Sequence, residues 1–229
     1  MSFDFTQDEW GTGARAAGVA KRGHFAYIAP MHPNIAFRWD DRDAMRALVR
    51  DVSFGQLFAA TPNGPRVAQV PVVWLDDDTL GLHLARGNAL TRHLDGATGL
   101  FTLLGPDGYI SPNWYGLGPD QVPTWNYLSV ELEGTMRRMD REALVAQVDQ
   151  LSAEQEARLP PPAWTRAKMD PKLADGMLGA IAGFRLEITA WRGTAKLGQN
   201  KPESARLAAA DASEAAGRRG IAALMRAWS

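Results

Sequence analysis

The sequence predicts a mainly β chain, an antiparallel barrel with flanking helices. Three observations carry this. Apolar and polar residues alternate over several short runs, tight-turn residues separate those runs, and few helical patterns come between them. Antiparallel neighbours need only a turn between them, whereas parallel strands need a long crossover.

The elements follow in order. Residues 40–51 read as a helix, with Asp40 or Asp41 as cap and Met45, Leu48, Val49 and Val52 as its apolar stripe. Residues 54–61 are the first expected strand and residues 66–75 the return strand. Between them, Pro62-Asn63-Gly64-Pro65 carries an Asn-Gly pair that takes φ > 0 at both central positions of a tight hairpin. After the Asp76-Asp77-Asp78 turn, residues 79–85 form a third strand with Leu80, Leu82 and Leu84 on one face. A short helix capped by Asn88 is expected to run to about Leu94. Residues 99–104 and 124–138 are the fourth and fifth strands. The strongest helix spans residues 140–159, capped by Asp140, with Leu144, Val145, Val148 and Leu151 buried and Pro160-Pro161-Pro162 ending it. A short helix over 172–181, a sixth strand over 183–192 and an Ala-rich helix over 203–216 follow. The chain ends in an apolar tail of Ile221, Leu224, Met225 and Trp228. Residues 1–30 lack periodicity and read as an extension before one domain covering 31–229.

The chain has 229 residues, a net charge of −1, 45% hydrophobic and 22% charged residues. It is long enough for a substantial core, and its charge offers no general attraction to nucleic acid or acidic membrane. With no cysteine, disulfides, thiolate metal sites and cysteine nucleophiles are excluded. No run approaches the ~20 apolar residues of a membrane span, and the acidic N-terminus is unlike a secretory signal. The expectation is a cytoplasmic protein.

Zinc-binding, Rossmann, Walker and serine-hydrolase motifs are all missing, so no metal site is expected. Three segments point towards a ligand. Residues 109–127 hold two of the eight tryptophans and three of the four tyrosines, interleaved with prolines and glycines. Such a rigid aromatic loop suits a flat ligand by stacking, or else folds onto itself as a plug. His83 to Asn88 (H-L-A-R-G-N) ends a strand and opens a helical turn. Its Arg86, Asn88 and free N–H groups, with Thr91 and Arg92 just beyond, suit a phosphate. Lys196 to Lys201 (K-L-G-Q-N-K) carries Gln199 and Asn200, amides able to read a heterocycle edge. The plain alternatives are a capped helix with solvated arginines and an ordinary turn before Pro202.

These residues together resemble the PaiB-type family of FMN-binding negative transcriptional regulators. The likeness rests on Phe37 and the helix after it, Ser53-Phe54-Gly55, Gln69-Val70-Pro71 and H-L-A-R-G-N at 83–88. It continues through Y-I-S-P-N-W-Y at 109–115, V-P-T-W-N-Y at 122–127 and K-L-G-Q-N at 196–200, covering about residues 31–225.

The resemblance implies an FMN-binding split barrel like that of pyridoxamine-phosphate oxidases, assembled as a homodimer with FMN in the groove between subunits. By that likeness Gln69, Val70 and Pro71 lie along the ring, and His83, Leu84, Ala85, Arg86, Asn88 and Thr91 hold the ribityl phosphate. Trp125 and Asn126 reach over from the partner, and Lys196, Gln199 and Asn200 close the site. Two positions depart from the family pattern: Gln69 replaces a histidine and Gly198 a serine. The implied activity is flavin-dependent redox chemistry on a small molecule, in which the cofactor carries the electrons. The alternatives are a regulator or ligand sensor without turnover, which would need DNA contacts that only Arg137-Arg138 and Arg218-Arg219 offer, and a haem-binding barrel using His83 or His93.

Overall fold

A computed structural model describes residues 32–228; the expected N-terminal extension lies outside the described residues. Seven strands form one antiparallel sheet, β1 (Arg38–Trp39), β2 (Phe54–Thr61), β3 (Gly64–Trp74), β4 (Thr79–Ala85), β5 (Thr98–Ile110), β6 (Thr124–Arg138) and β7 (Ile181–Lys196). The neighbour order is β1-β7-β4-β3-β2-β5-β6, and β6 also pairs with β7, closing six strands into a barrel with β1 attached outside the ring. Five helices flank it: α1 (Arg42–Val52), α2 (Arg141–Glu156), α3 (Pro171–Gly179), α4 (Glu203–Ala215) and α5 (Arg219–Ala227).

Side-chain alternation builds the core. Leu80, Leu82 and Leu84 of β4 are buried inside the barrel, together with Leu57, Val70, Val72, Phe101, Leu103, Val130, Leu132 and Phe184. Each fully buried leucine contributes about 2 kcal/mol through the apolar area it removes from water. The β6 limits agree with the expected strand, while β5 and β7 run further than their alternation indicated.

Three local expectations are corrected. The hairpin centres on Pro62-Asn63, with Thr61 paired to Gly64. Gly64 alone takes the left-handed conformation, at φ 90°. Proline cannot reach positive φ, so the pair centred there leaves the left-handed position to the following glycine. The helix expected after Asn88 is a single 3-10 turn, Thr91–His93. Asn88 Oδ1 does accept the Leu90 N–H at 2.9 Å, but Leu90 and Leu94 plug into the core and end the turn. On α2, Gln147 is buried where Val148 was expected to be.

Asp41 and Asp140 cap α1 and α2 by accepting the Ala44 and Ala143 N–H groups. Helix α2 lies across the outer face of β4 because Gly81 leaves room for it. A Cβ on Gly81 would come 2.9 Å from Gln147 Cγ. Helices α4 and α5 pack together near the far ends of β5 and β6, with Ala209, Ala210, Ile221 and Met225 buried. Among the described residues no helix is long and apolar enough to cross a membrane.

Candidate functional site

The barrel wall is open on one side. Strands β3 and β4 pair only at Val72↔Leu82, Val73↔Gly81 and Trp74↔Leu80, although β3 reaches back to Gly64 and β4 continues to Ala85. The ladder stops at Pro71, which has no N–H to donate. Gln69-Val70-Pro71 and His83-Leu84-Ala85 are thus the segments that diverge across the resulting notch. Within each, side chains alternate. Val70 and Leu84 point into the core, leaving only backbone to face a ligand, whereas Gln69 and Ala85 are exposed.

At the end of β4 the donors are arranged by local hydrogen bonds. Arg86 N donates to Ala180 O and its Nε to Gly179 O at 2.6 Å, both at the C-terminus of α3. No carboxylate pairs with Arg86 among the described residues, and residues 79–94 contain no acid at all. Thr91 is buried and its hydroxyl donates to Ala85 O at 2.8 Å. Arg92 Nε donates to His93 Nε2 at 3.0 Å. Among the described residues, the Nη groups of Arg86 and the Nδ2 of Asn88 are left free to donate to a ligand.

His83 sits between the notch and α2, with Nδ1 3.1 Å from Gln147 Oε1. Burial holds the imidazole below its ordinary value of 6.5, and the Gln147 hydrogen bond opposes that shift only in part. A histidine with a depressed folded pKa is neutral in both states above about pH 6.5, so its full contribution to stability is present there. Below that pH the unfolded chain takes up the proton first, and stability falls towards the folded pKa. Urea unfolding from pH 7 to pH 5 is expected to show stability falling with pH, less steeply in His83→Gln. Equal slopes in the two proteins would refute this.

The remaining expected residues occupy the far end of the barrel. Trp125 stands half-exposed on the outer face, its Nε1 donating to Asp107 Oδ1 at 2.7 Å and its ring edge-on to Tyr109 at 6.1 Å. Asn126 points the opposite way. It is 1% exposed, its Nδ2 lies 3.4 Å from Met225 Sδ, and its Oδ1 has no partner. Adjacent strand residues face opposite sides, so Trp125 and Asn126 cannot both touch one ligand through their side chains. Gln199 is also committed. Its Nε2 donates to Ala36 O and Ala195 O, and its Oε1 accepts the Leu197 N–H at 2.8 Å. It staples the turn and has no amide edge left to read a heterocycle. Lys196 and the exposed Asn200 remain available.

The two halves of the expected set do not meet. Ala85 pairs with Ile181, the first residue of β7, while Lys196 is its last and pairs with Tyr127. Sixteen residues at about 3.3 Å each make roughly 50 Å of strand contour, shortened in space by the curvature of the barrel, and place the two groups beside opposite ends of β7. Sequence reasoning also missed Gln147. A polar residue three positions after Leu144, on the face that packs against the barrel, was the available signal for Gln147.

A closed antiparallel barrel with one interrupted ladder and flanking helices belongs to the split-barrel class. Residues 31–190 match the family described as "Putative FMN-binding domain", more than half of the chain. The chain belongs to this family, and FMN is the cofactor that membership assigns to it. It is 27% identical over 173 residues to the Bacillus subtilis (strain 168) protein named Protease synthase and sporulation protein PAI 2, covering 73% of this chain and 82% of that one. Among solved structures it is similar to the flavocytochrome Anf3 from Azotobacter vinelandii, with TM-score 0.53 and 16% identity over 70% of this chain and 69% of that one. The conserved hypothetical protein Rv2991 from Mycobacterium tuberculosis gives TM-score 0.52 and 16% identity, over 73% of this chain and 92% of that one. Identities this low speak to fold alone.

Proposed function

We propose that this chain forms a homodimer binding one FMN per subunit in the groove between copies, and that the flavin transfers electrons to or from a small molecule. The observation that carries the reading is the separation just described. One flavin cannot touch both Arg86 and Lys196 of a single chain, but it can touch Arg86 of one copy and Trp125 of the other. The outer face of β3, β2, β5 and β6 supplies a surface for a second copy. It exposes Val67, Phe54, Phe58, Leu104 and Trp125 together, an arrangement that marks an interaction surface.

The residues present suit FMN. The notch leaves a strand edge for the ring, with Gln69 and Pro71 beside it. The Arg86 guanidinium and Asn88 amide, in a stretch without acids, suit its phosphate. Trp125 offers a ring face for stacking. Gln69, a neutral amide, hydrogen-bonds without titrating near neutral pH. Bound there, the flavin supplies the electron transfer, while the chain orients it and keeps water from its faces. Val70, Leu84 and Thr91 serve from beneath as packing, and Gln199 as a staple for the neighbouring turn.

The alternative of a regulator or sensor differs in having no turnover. Arg137, one of its few basic candidates, is tied to Glu187 at 3.3 Å. Titrating flavin-free protein with FMN and following fluorescence quenching tests the reading. Saturation at one flavin per chain is expected, followed by bleaching on addition of NADH or NADPH. Binding without reduction would favour a sensor. Absence of binding at tens of micromolar, the range of a weak cofactor site, would remove the flavin reading altogether.

A further inference from the structure

An open groove of about 700 Å³ lies on the outside of the barrel between α1 and the end of α5. On α1, Met45 and Val49 fill the core, which leaves Leu48 at the edge of the buried face and in the groove. Leu224 of α5 and Trp228 just beyond it line the groove as well, with Leu128 of β6 beneath. Leu48, Leu224 and Trp228 pack against the core yet keep part of their surface in water. Trp228 is held edge-on to the buried Trp39, with ring centres 6.5 Å apart. Apolar surface collected in a concave groove favours an occupant.

The rim of the groove is acidic. Asp40, Asp41 and Asp51 line it against a single base, Arg38, and Asp40 takes that base at 2.7 Å. Asp41 caps α1 through one oxygen and, like Asp51, has no ion pair among the described residues. Arg158 reaches Asp51 at its main-chain carbonyl, at 2.6 Å. Two carboxylates are thus left for a cationic occupant.

Residues 10–31, which precede the described residues, have the matching composition. They contain Arg15, Lys21 and Arg22, no aspartate or glutamate, and the apolar Val19, Phe25, Tyr27 and Ile28. The acids of the N-terminus, Asp4, Asp8 and Glu9, all come earlier. The connection to the groove is short. Phe37 is buried, and Arg38 beside it pairs with Thr194 of β7 and lines the groove. Seven residues take the chain from Met31 to Arg38, a reach of at most about 25 Å. A segment tethered so near its site acts at an effective concentration on the order of millimolar, which a free partner of the same chemistry would have to match.

We propose that residues 10–31 dock in this groove of their own chain, their basic side chains against Asp41 and Asp51 and their apolar ones on Leu48, Leu224 and Trp228. The inference stands apart from the flavin and covers a surface that the proposed dimer does not use.

The test exploits the lack of cysteine in the chain. Ala47→Cys places a single thiol at an exposed position in the groove of the full-length protein, and Ala208→Cys, exposed on α4, serves as control. Alkylation by a maleimide at position 47 is expected to become about tenfold faster when Arg15, Lys21 and Arg22 are all changed to Glu, with position 208 unaffected. Protection of that size corresponds to millimolar effective concentration and a dissociation constant of about 0.1 mM for the separate parts. Equal rates at position 47 in the two backgrounds would overturn the proposal. A rise at both positions would report general loosening, and a cross-link made without the charge reversals then decides. For this, a benzophenone maleimide on Ala47→Cys is irradiated in an equal mixture of isotope-labelled and unlabelled chains. Cross-links to residues 10–31 with the same isotope on both sides are expected. Mixed-isotope products would assign the groove to a second copy, and products that avoid residues 10–31 would show that another segment fills it; either overturns the proposal.

Discussion

Gly134→Ala is expected to cost about 3 kcal/mol or more of stability, a large share of the 5–15 kcal/mol typical of a folded domain. Gly134 lies in β6 where the register against β7 slips, from Glu133↔Ala190 to Gly134↔Ile188. A Cβ there would run into the Glu187 carbonyl and come 2.9 Å from Ile188 Cα. These are backbone atoms, so no side chain can swing aside to relieve the clash. The β6–β7 seam is also the pairing that closes the barrel, and opening it exposes the core. Gly176→Ala is the matched control, because a Cβ in that turn of α3 meets nothing within 4 Å. It is expected to gain up to about 1 kcal/mol from helix propensity and lost unfolded-state freedom. Urea midpoints for the two variants would decide the matter; a Gly134→Ala midpoint matching the wild type would show that the seam relaxes.

Flavin binding by mixed subunits is the second large effect. Arg86→Ala and Trp125→Ala are each expected to bind FMN at least tenfold more weakly, since one removes the phosphate partner and the other the stacking face. Arg86→Ala is expected to leave riboflavin binding near the wild-type value. If the groove takes Arg86 from one copy and Trp125 from the other, unfolding and refolding the two variants together restores intact sites. Random pairing returns about a quarter of the wild-type stoichiometry. In a site built within one chain, every mixed dimer would remain defective and no tight sites would return. Sedimentation at the titration concentration checks that the variants still pair.

The two experiments probe parts of the molecule that differ in how readily the sequence discloses them. Strand β6 was legible to its end residues because Val130 and Leu132 alternate with Glu131 and Glu133, and a strand half-buried on one face needs that period. The helix caps at Asp41 and Asp140 were legible for a similar reason, since a cap is a contact between near neighbours. The hairpin was placed correctly but centred one residue late, because the Asn-Gly signal was weighed without the constraint that Pro62 imposes. The 3-10 turn after Asn88 went unread since Leu90 and Leu94 belong to a core assembled from distant strands, and that packing overrides local propensity. Gln147 was misjudged likewise. Its Oε1 meets His83 across 64 residues of chain, a partner no local pattern discloses, while its buried Nε2 has no partner among the described residues.

For the proposed site, the expected chemistry was read from residue type alone. An acid-free run with Arg86 and Asn88, a proline-rich aromatic loop and a lysine-rich turn are properties of composition and adjacency, and none needs a fold to be seen. What each side chain is free to do was decided by tertiary structure. Gln199 reads as an amide open to a heterocycle until its three hydrogen bonds are drawn, and Asn126 as a neighbour of Trp125 until the strand turns it inward. The sequence by itself determined the barrel, its caps and the family, because these follow from periodicity and from contacts a few residues apart. Only the folded chain decided that Arg86 and Lys196 lie at opposite ends of one strand, because register around a closed barrel joins residues that no local pattern relates.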